Sequence, residues 1–294
     1  FDASGTRVGG EFLVNTETSN SQYIPEITGL ADGGFVVTWH DTSGTLGDAD
    51  YSSIKAQIFS ASGTRVGGEF LVNTQTASWQ GAPTITGLAD GGFVVTWFDT
   101  SGTLGDASNT SIKAQIFDAS GTRVGGEFLV NTETERWQGA PTITSLADGG
   151  FVVTWYDSSR TLGDADGNSV KAQIFSASGT RVGGEFLVNT QTALDQSWPA
   201  ITALADGGFA VTWYDWSGTL GDASGTSIKA QIFSADGQLV TGLPVTTLVE
   251  AGAGVAGVAT SVASLAVTDP DFADTYTYDT TGWTAVDATH FTKT

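Results

Sequence analysis

The sequence predicts an all-β fold, a propeller-like array of four-stranded antiparallel blades. Three observations carry that prediction. The motif Phe1-Asp-Ala-Ser-Gly-Thr-Arg-Val-Gly-Gly-Glu-Phe-Leu-Val-Asn-Thr16 returns at Phe59, Phe117 and Phe175 with a period of 58 residues, and a decayed copy starts at Phe233. Inside each unit, short apolar runs alternate between glycine-rich turns with the two-residue period of a strand. Nothing between those turns follows the 3.6-residue period of a helix.

The second copy gives the elements in order. Glu69–Thr74 is a short apolar strand and Thr84–Leu88 a second. Ala89-Asp-Gly-Gly92 is a turn, because Asp-Gly between strand residues favours a tight hairpin. Gly92–Phe98 is a third strand, with Phe93, Val95 and Trp97 on one face and Val94 and Thr96 on the other. An acidic loop runs from Asp99 to Thr110, Ser111–Phe117 is the fourth strand, and Asp118–Gly121 turns the chain into the next copy.

A lone meander with apolar residues on both faces is unstable in water, so each unit has to stack on its neighbours. Blade against blade does this. A solenoid usually has shorter coils, and a sandwich needs about 100 residues to close. Four copies of the inner three strands are present, at 24–61, 83–119, 141–177 and 199–235, and the degenerate Leu239–Leu248 is a fifth outer strand. The extra strand Glu11–Thr16 has no blade before it. It would complete the last blade, or pair with the exposed edge of another molecule and build a filament. The expected domains are a repeat domain at 1–248, a small-residue linker at 249–260 and a separate β segment at 261–294.

Composition narrows the function. The net charge is −21, a field that repels nucleic acid and anionic membranes and attracts cations. Cysteine is absent, which removes disulfides and thiolate metal sites. No apolar run is long enough to cross a bilayer. The chain begins inside a repeat motif and reads as a piece of a longer exported protein, secreted or at the cell surface.

The acidic loop recurs with two aspartates seven residues apart: Asp41 and Asp48, Asp99 and Asp106, Asp157 and Asp164, Asp215 and Asp222. A third, Asp50 or Asp166, is Ser108 or Ser224 in the other copies. Such a loop can fold carboxylates and carbonyls around a hard cation, and calcium accepts six to eight oxygens in irregular geometry. The competing reading is a solvated turn with Asx-type bonds. Asp269, Asp271 and Asp274 form a tighter acidic elbow.

Trp39, Trp97, Trp155 and Trp213 recur in strands and read as core. Trp79, Trp137 and Trp198, with Tyr23 in the first copy, read as loop aromatics. They would either stack on sugar rings, making glycans a partner and the chain a lectin-like module, or cap the seam between blades. His40 and His290 are the only histidines, and no Ser-His-Asp or metal-histidine constellation repeats. The residues therefore point to a protein without enzymatic activity, with a propeller hydrolase as the weakest reading.

Ser264-Leu-Ala-Val-Thr-Asp-Pro-Asp-Phe-Ala-Asp-Thr-Tyr-Thr-Tyr278 resembles the cadherin-like, VCBS-type repeats of giant bacterial adhesins and RTX-type exoproteins. Leu-Ala-Asp-Gly-Gly-Phe-Val-Val-Thr-Trp and Ile-Lys-Ala-Gln-Ile-Phe are similar to repeats of the same large calcium-binding proteins. The resemblance implies an exported, surface-associated, calcium-dependent architecture, with Asp269, Asp271 and Asp274 as interdomain Ca2+ ligands; with the unpaired edge strands, the chain reads as an extracellular structural and adhesive segment that self-associates.

Overall fold

The computed structural model describes residues 4–7, 9–48, 50, 52–107, 110–240, 265–268, 275–278, 283–287 and 290–293. The chain divides into two compact units, Phe1–Leu239 and Val240–Thr294. All described regular structure is strand, and no described helix is long and apolar enough to cross a membrane.

The first unit is the predicted all-β blade array. Its first sheet runs β1 (Gln22–Gly29), β2 (Phe35–Asp41), β3 (Ser53–Phe59), β4 (Arg65–Leu71) in spatial order. The second repeats this with β5 (Gln80–Gly87), β6 (Phe93–Asp99), β7 (Ser111–Phe117) and β8 (Arg123–Leu129). The third uses β9 (Gln138–Ser145), β10 (Phe151–Asp157), β11 (Ser169–Phe175) and β12 (Arg181–Leu187). The fourth is three-stranded, β13 (Gln196–Ala203), β14 (Phe209–Asp215) and β15 (Ser227–Phe233), with one bridge from Phe233 to Leu239. The second unit contains two hairpins, β16 (Leu265–Thr268) with β17 (Thr275–Tyr278) and β18 (Trp283–Asp287) with β19 (His290–Lys293).

Both faces of each middle strand are apolar, as its alternation requires. Phe93, Val95 and Trp97 pack with Val36, Ile54 and Ala56 of the first sheet. Val94 turns the other way, toward Phe151, Val153 and Trp155 of the third. First strands of successive sheets lie beside one another, and the Thr28 hydroxyl accepts a hydrogen bond from the Gly87 amide at 3.0 Å. Outer strands such as β4 begin exposed. The Asp-Gly-Gly hairpins are forced by close approach: an added Cβ at Gly92 would sit 2.4 Å from the Phe117 carbonyl.

Two strand expectations need correction. The outer strands start at Arg65 and its equivalents and end at Leu71 and its equivalents. Residues 11–16 form no strand. They lie on their own first sheet, with Phe12 and Phe59 ring centroids 5.4 Å apart and the Thr16 amide donating to Glu69 at 2.7 Å. The unpaired strand expected to build a filament is therefore not formed, and the segment rests on its own blade instead.

Candidate functional site

The acidic loops are organised around a buried lysine. Lys113 in β7 is fully buried. Its ammonium lies 2.8 Å from Asp99 and 3.4 Å from Glu127, and donates to Ser101 at 2.8 Å and Thr103 at 2.6 Å. The other Glu127 oxygen accepts from the Thr74 amide at 2.7 Å, which ties the sheet to the connection entering it. Lys55 and Lys171 repeat the arrangement with Asp41 and Glu69, and with Asp157 and Glu185. Lys229 pairs with Asp215. Burial works to raise the Asp41 and Asp215 carboxyls, but hydrogen bonds from the serine and the lysine outweigh it and hold both below the usual range.

The second aspartate of each loop also has a protein partner. Asp48, Asp106 and Asp164 each accept from an asparagine amide, Asn73, Asn131 and Asn189, at 2.9 Å. The Asp50 and Asp166 carboxylates accept from the Ser78 and Leu194 amides, at 3.0 and 3.1 Å. Asp222 is exposed and caps its own turn through the Ser224 amide. Among the described residues no three carboxylate or histidine side chains gather as a metal site would require. Asp269, Asp271 and Asp274 lie outside the described residues. The spacing that suggested calcium is that of carboxylates facing an ammonium and an amide.

The aromatic set divides in the same way. Trp79 and Trp137 precede β5 and β9 at equivalent places, exposed, with backbones pinned to Thr100 and Ser158. Trp198 is not their equivalent. It lies within β13 at φ +53°, matching Ile24, Ala82 and Ala140 at +52°, +45° and +45°. Positive φ is unusual for such residues, and it marks a β-bulge in each first strand.

That bulge builds a constellation which sequence reasoning missed. Tyr23 pairs with His40 and Glu26 with Thr38. Three residues apart, Tyr23 and Glu26 would point to opposite faces of a regular strand. The bulge at Ile24 puts them on one face with His40. The Tyr23 ring lies tilted against that of His40, 4.3 Å between centroids at 33°, and its hydroxyl is 3.2 Å from Nε2. The face looks toward the second sheet, where a Cβ at Gly81 would lie 3.2 Å from the His40 ring. Equivalent positions hold Gly81, Thr84 and Phe98, then Gly139, Thr142 and Tyr156, then Ser197, Ala200 and Tyr214. Glu26 is the only acidic residue in the four first strands. Glu26 is exposed, yet partial desolvation by its neighbours raises its carboxyl above the ordinary value, the direction that suits a group that donates a proton.

Burial drives His40 the other way, to about 4, against a smaller opposing pull from Asp41. The folded protein therefore holds a neutral imidazole where the unfolded chain, titrating near 6.5, takes up a proton. The stability this gives is complete above pH 6.5 and is lost as pH falls toward 4, by up to about 3 kcal/mol. His40→Phe, the residue type at position 98, will flatten urea stability between pH 6.5 and 4. An unchanged slope would place the imidazole in water.

No protein-family model and no curated protein matches the sequence. Solved structures do match in fold. The GH93 α-L-arabinofuranosidase of Fusarium graminearum, in complex with arabinobiose, superposes at TM-score 0.51 with 13% identity over 76% of this chain and 66% of that one. The Hadza microbial sialidase Hz136 superposes at TM-score 0.51 with 14% identity over 74% of this chain and 45% of that one. The shared feature is the fold, an all-β propeller-type array of four-stranded antiparallel sheets. The chain spans less than two thirds of the length of each.

These matches correct the readings made from the resemblance. The RTX and VCBS-type adhesin assignment is replaced by likeness to propeller glycosidases. The structural, adhesive, calcium-binding reading without enzymatic activity rested on that resemblance and is set aside with it, since the solved structures that share this fold are glycosidases. Near-identical blades argue against one asymmetric centre, yet the first blade departs from the others at Tyr23, Glu26 and His40.

Proposed function

We propose that the chain is a glycan-directed propeller hydrolase in which Glu26 is the proton-donating carboxyl. The observation that carries this reading is the placement of Glu26, the single acid of the described first strands, on the same face as Tyr23 and His40, where partial desolvation raises its carboxyl. The shared fold of the arabinofuranosidase and the sialidase supports it. Exposed Trp79, Trp137 and Trp198 give apolar rings on which sugars stack. An extracellular location suits such a substrate.

Glycoside cleavage ordinarily engages two carboxyl groups. Asp41 is closed off by Lys55, so the second comes from a connection. Exposed Asp50 and Asp195 stand on connections at the end where the first strands begin.

The test is hydrolysis of 4-nitrophenyl arabinofuranoside, a chromogenic sialoside and soluble arabinan by the purified chain. Glu26→Gln will lower the rate roughly 100-fold with an unchanged melting temperature, and Asp50→Asn and Asp195→Asn compared alongside will identify the second group. Folded wild-type protein that releases nothing from the three substrates overturns the proposal.

A further inference from the structure

The two ends of the blade array present complementary halves of an interface that the chain itself builds three times. At the far end, no described residue covers the outward face of the fourth sheet. Ile228 is 66% exposed, whereas Ile54, Ile112 and Val170, its equivalents, are fully buried. Ala230 and Tyr214 are exposed too, while Ala56, Ala114 and Ala172 are fully buried. At the near end, Ile27 on the opposite face of the first sheet is 63% exposed, against 9% for Ile85 and 8% for Ile143.

The near end is already shaped as a receiver. Residues 12–16 occupy the place that the preceding outer strand fills elsewhere. Arg65 donates to the Leu13 carbonyl as Arg123 does to Leu71, both at 2.5 Å. Thr16 meets Glu69 as Thr74 meets Glu127, both at 2.7 Å. Phe12 lies against Phe59 as Phe70 lies against Phe117. Beside Gly121, the Ile58 methyl of the preceding blade lies 3.0 Å from where a Cβ would be, but beside Gly63 only the Phe12 ring approaches. The fourth sheet carries the matching Ile232 on its outward face, partly exposed.

The geometry points to head-to-tail docking of two copies of this chain, the outward face of the fourth sheet of one copy against the first sheet of the other. The contact is face to face, as between the blades within one copy, and involves no exchange of strands. It places Ile228, Ala230 and Ile232 over the receiving face, and brings the Thr202 hydroxyl to the Gly29 amide as Thr28 meets Gly87. Two different patches meet, so the association is heterologous.

Sedimentation of the purified chain across a concentration series tests this. The wild type will associate reversibly. Ile228→Asp and Ile27→Asp each place a charge in the buried contact and will weaken it roughly 100-fold, leaving monomers. Both positions are exposed, so melting will be unchanged. Mixed at equal amounts, the two variants will form a one-to-one dimer, because each retains the face the other lacks. A wild type that stays monomeric at every concentration overturns the inference. So does an Ile27→Asp chain that associates like the wild type, since that would mean fourth sheet against fourth sheet.

Discussion

Lys113→Met will lower the stability of the blade array by about 3–5 kcal/mol, a loss read from the midpoint of urea unfolding. The reason lies in what stays behind. Asp99 and Glu127 both face the ammonium, their side chains are almost wholly inaccessible, and without it two carboxylates remain buried with no cation between them. Replacing a buried charge constellation as a whole is far milder than removing one member. The triple variant Lys113→Met, Asp99→Asn, Glu127→Gln will therefore recover much of the loss. Lys229→Met will cost less than Lys113→Met, because Lys229 is slightly exposed and has a single carboxylate partner among the described residues. Equal losses at the two positions, or no recovery in the triple variant, would refute the account of the lysine as the charge that holds each sheet to its connection.

The blades were legible because the information is local. Two-residue alternation places Phe93, Val95 and Trp97 on one face and Val94 on the other, and Asp-Gly-Gly can only turn. The lysine centre was legible too, but unread. Lys55, Lys113 and Lys171 each stand fourteen residues after an aspartate and fourteen before a glutamate, a symmetry that stacked strands convert into contact. Spacing along the chain cannot tell a carboxylate that faces an ammonium from one that awaits a cation, which is why the loops suggested calcium. The face carrying Glu26 was hidden for a different reason. It depends on a bulge at Ile24, and a period-two reading assigns Tyr23 and Glu26 to opposite sides. The same bulge misplaced Trp198, which counts as a loop residue by eye and lies in a first strand in space. The available signal was a break in the repeat, Gln-Tyr-Ile-Pro-Glu where the second and third copies have Gln-Gly-Ala-Pro-Thr.

Trp155→Ala will cost about 3–5 kcal/mol and lower the melting temperature by roughly 10 °C in a domain of this size. Trp155 is fully buried between the second and third sheets, among Val94, Ile112, Ile116 and Phe151. Those neighbours belong to strands pinned by their ladders on both sides, so they cannot close over the space an indole leaves. The substitution also separates packing from polarity. The buried indole nitrogen has no hydrogen-bond partner in the protein, and an orphaned donor is itself costly. Trp155→Phe removes that donor while filling most of the volume, so it will lose under about half as much as alanine. If blades were held mainly by their hydrogen-bonded edges and lysine centres, both variants would melt within a degree or two of the wild type. A large loss for alanine and a small one for phenylalanine identifies the apolar seam between sheets as the main source of cohesion. That same seam, left uncovered at Ile228 and Ile27, is what a second copy of the chain would bury.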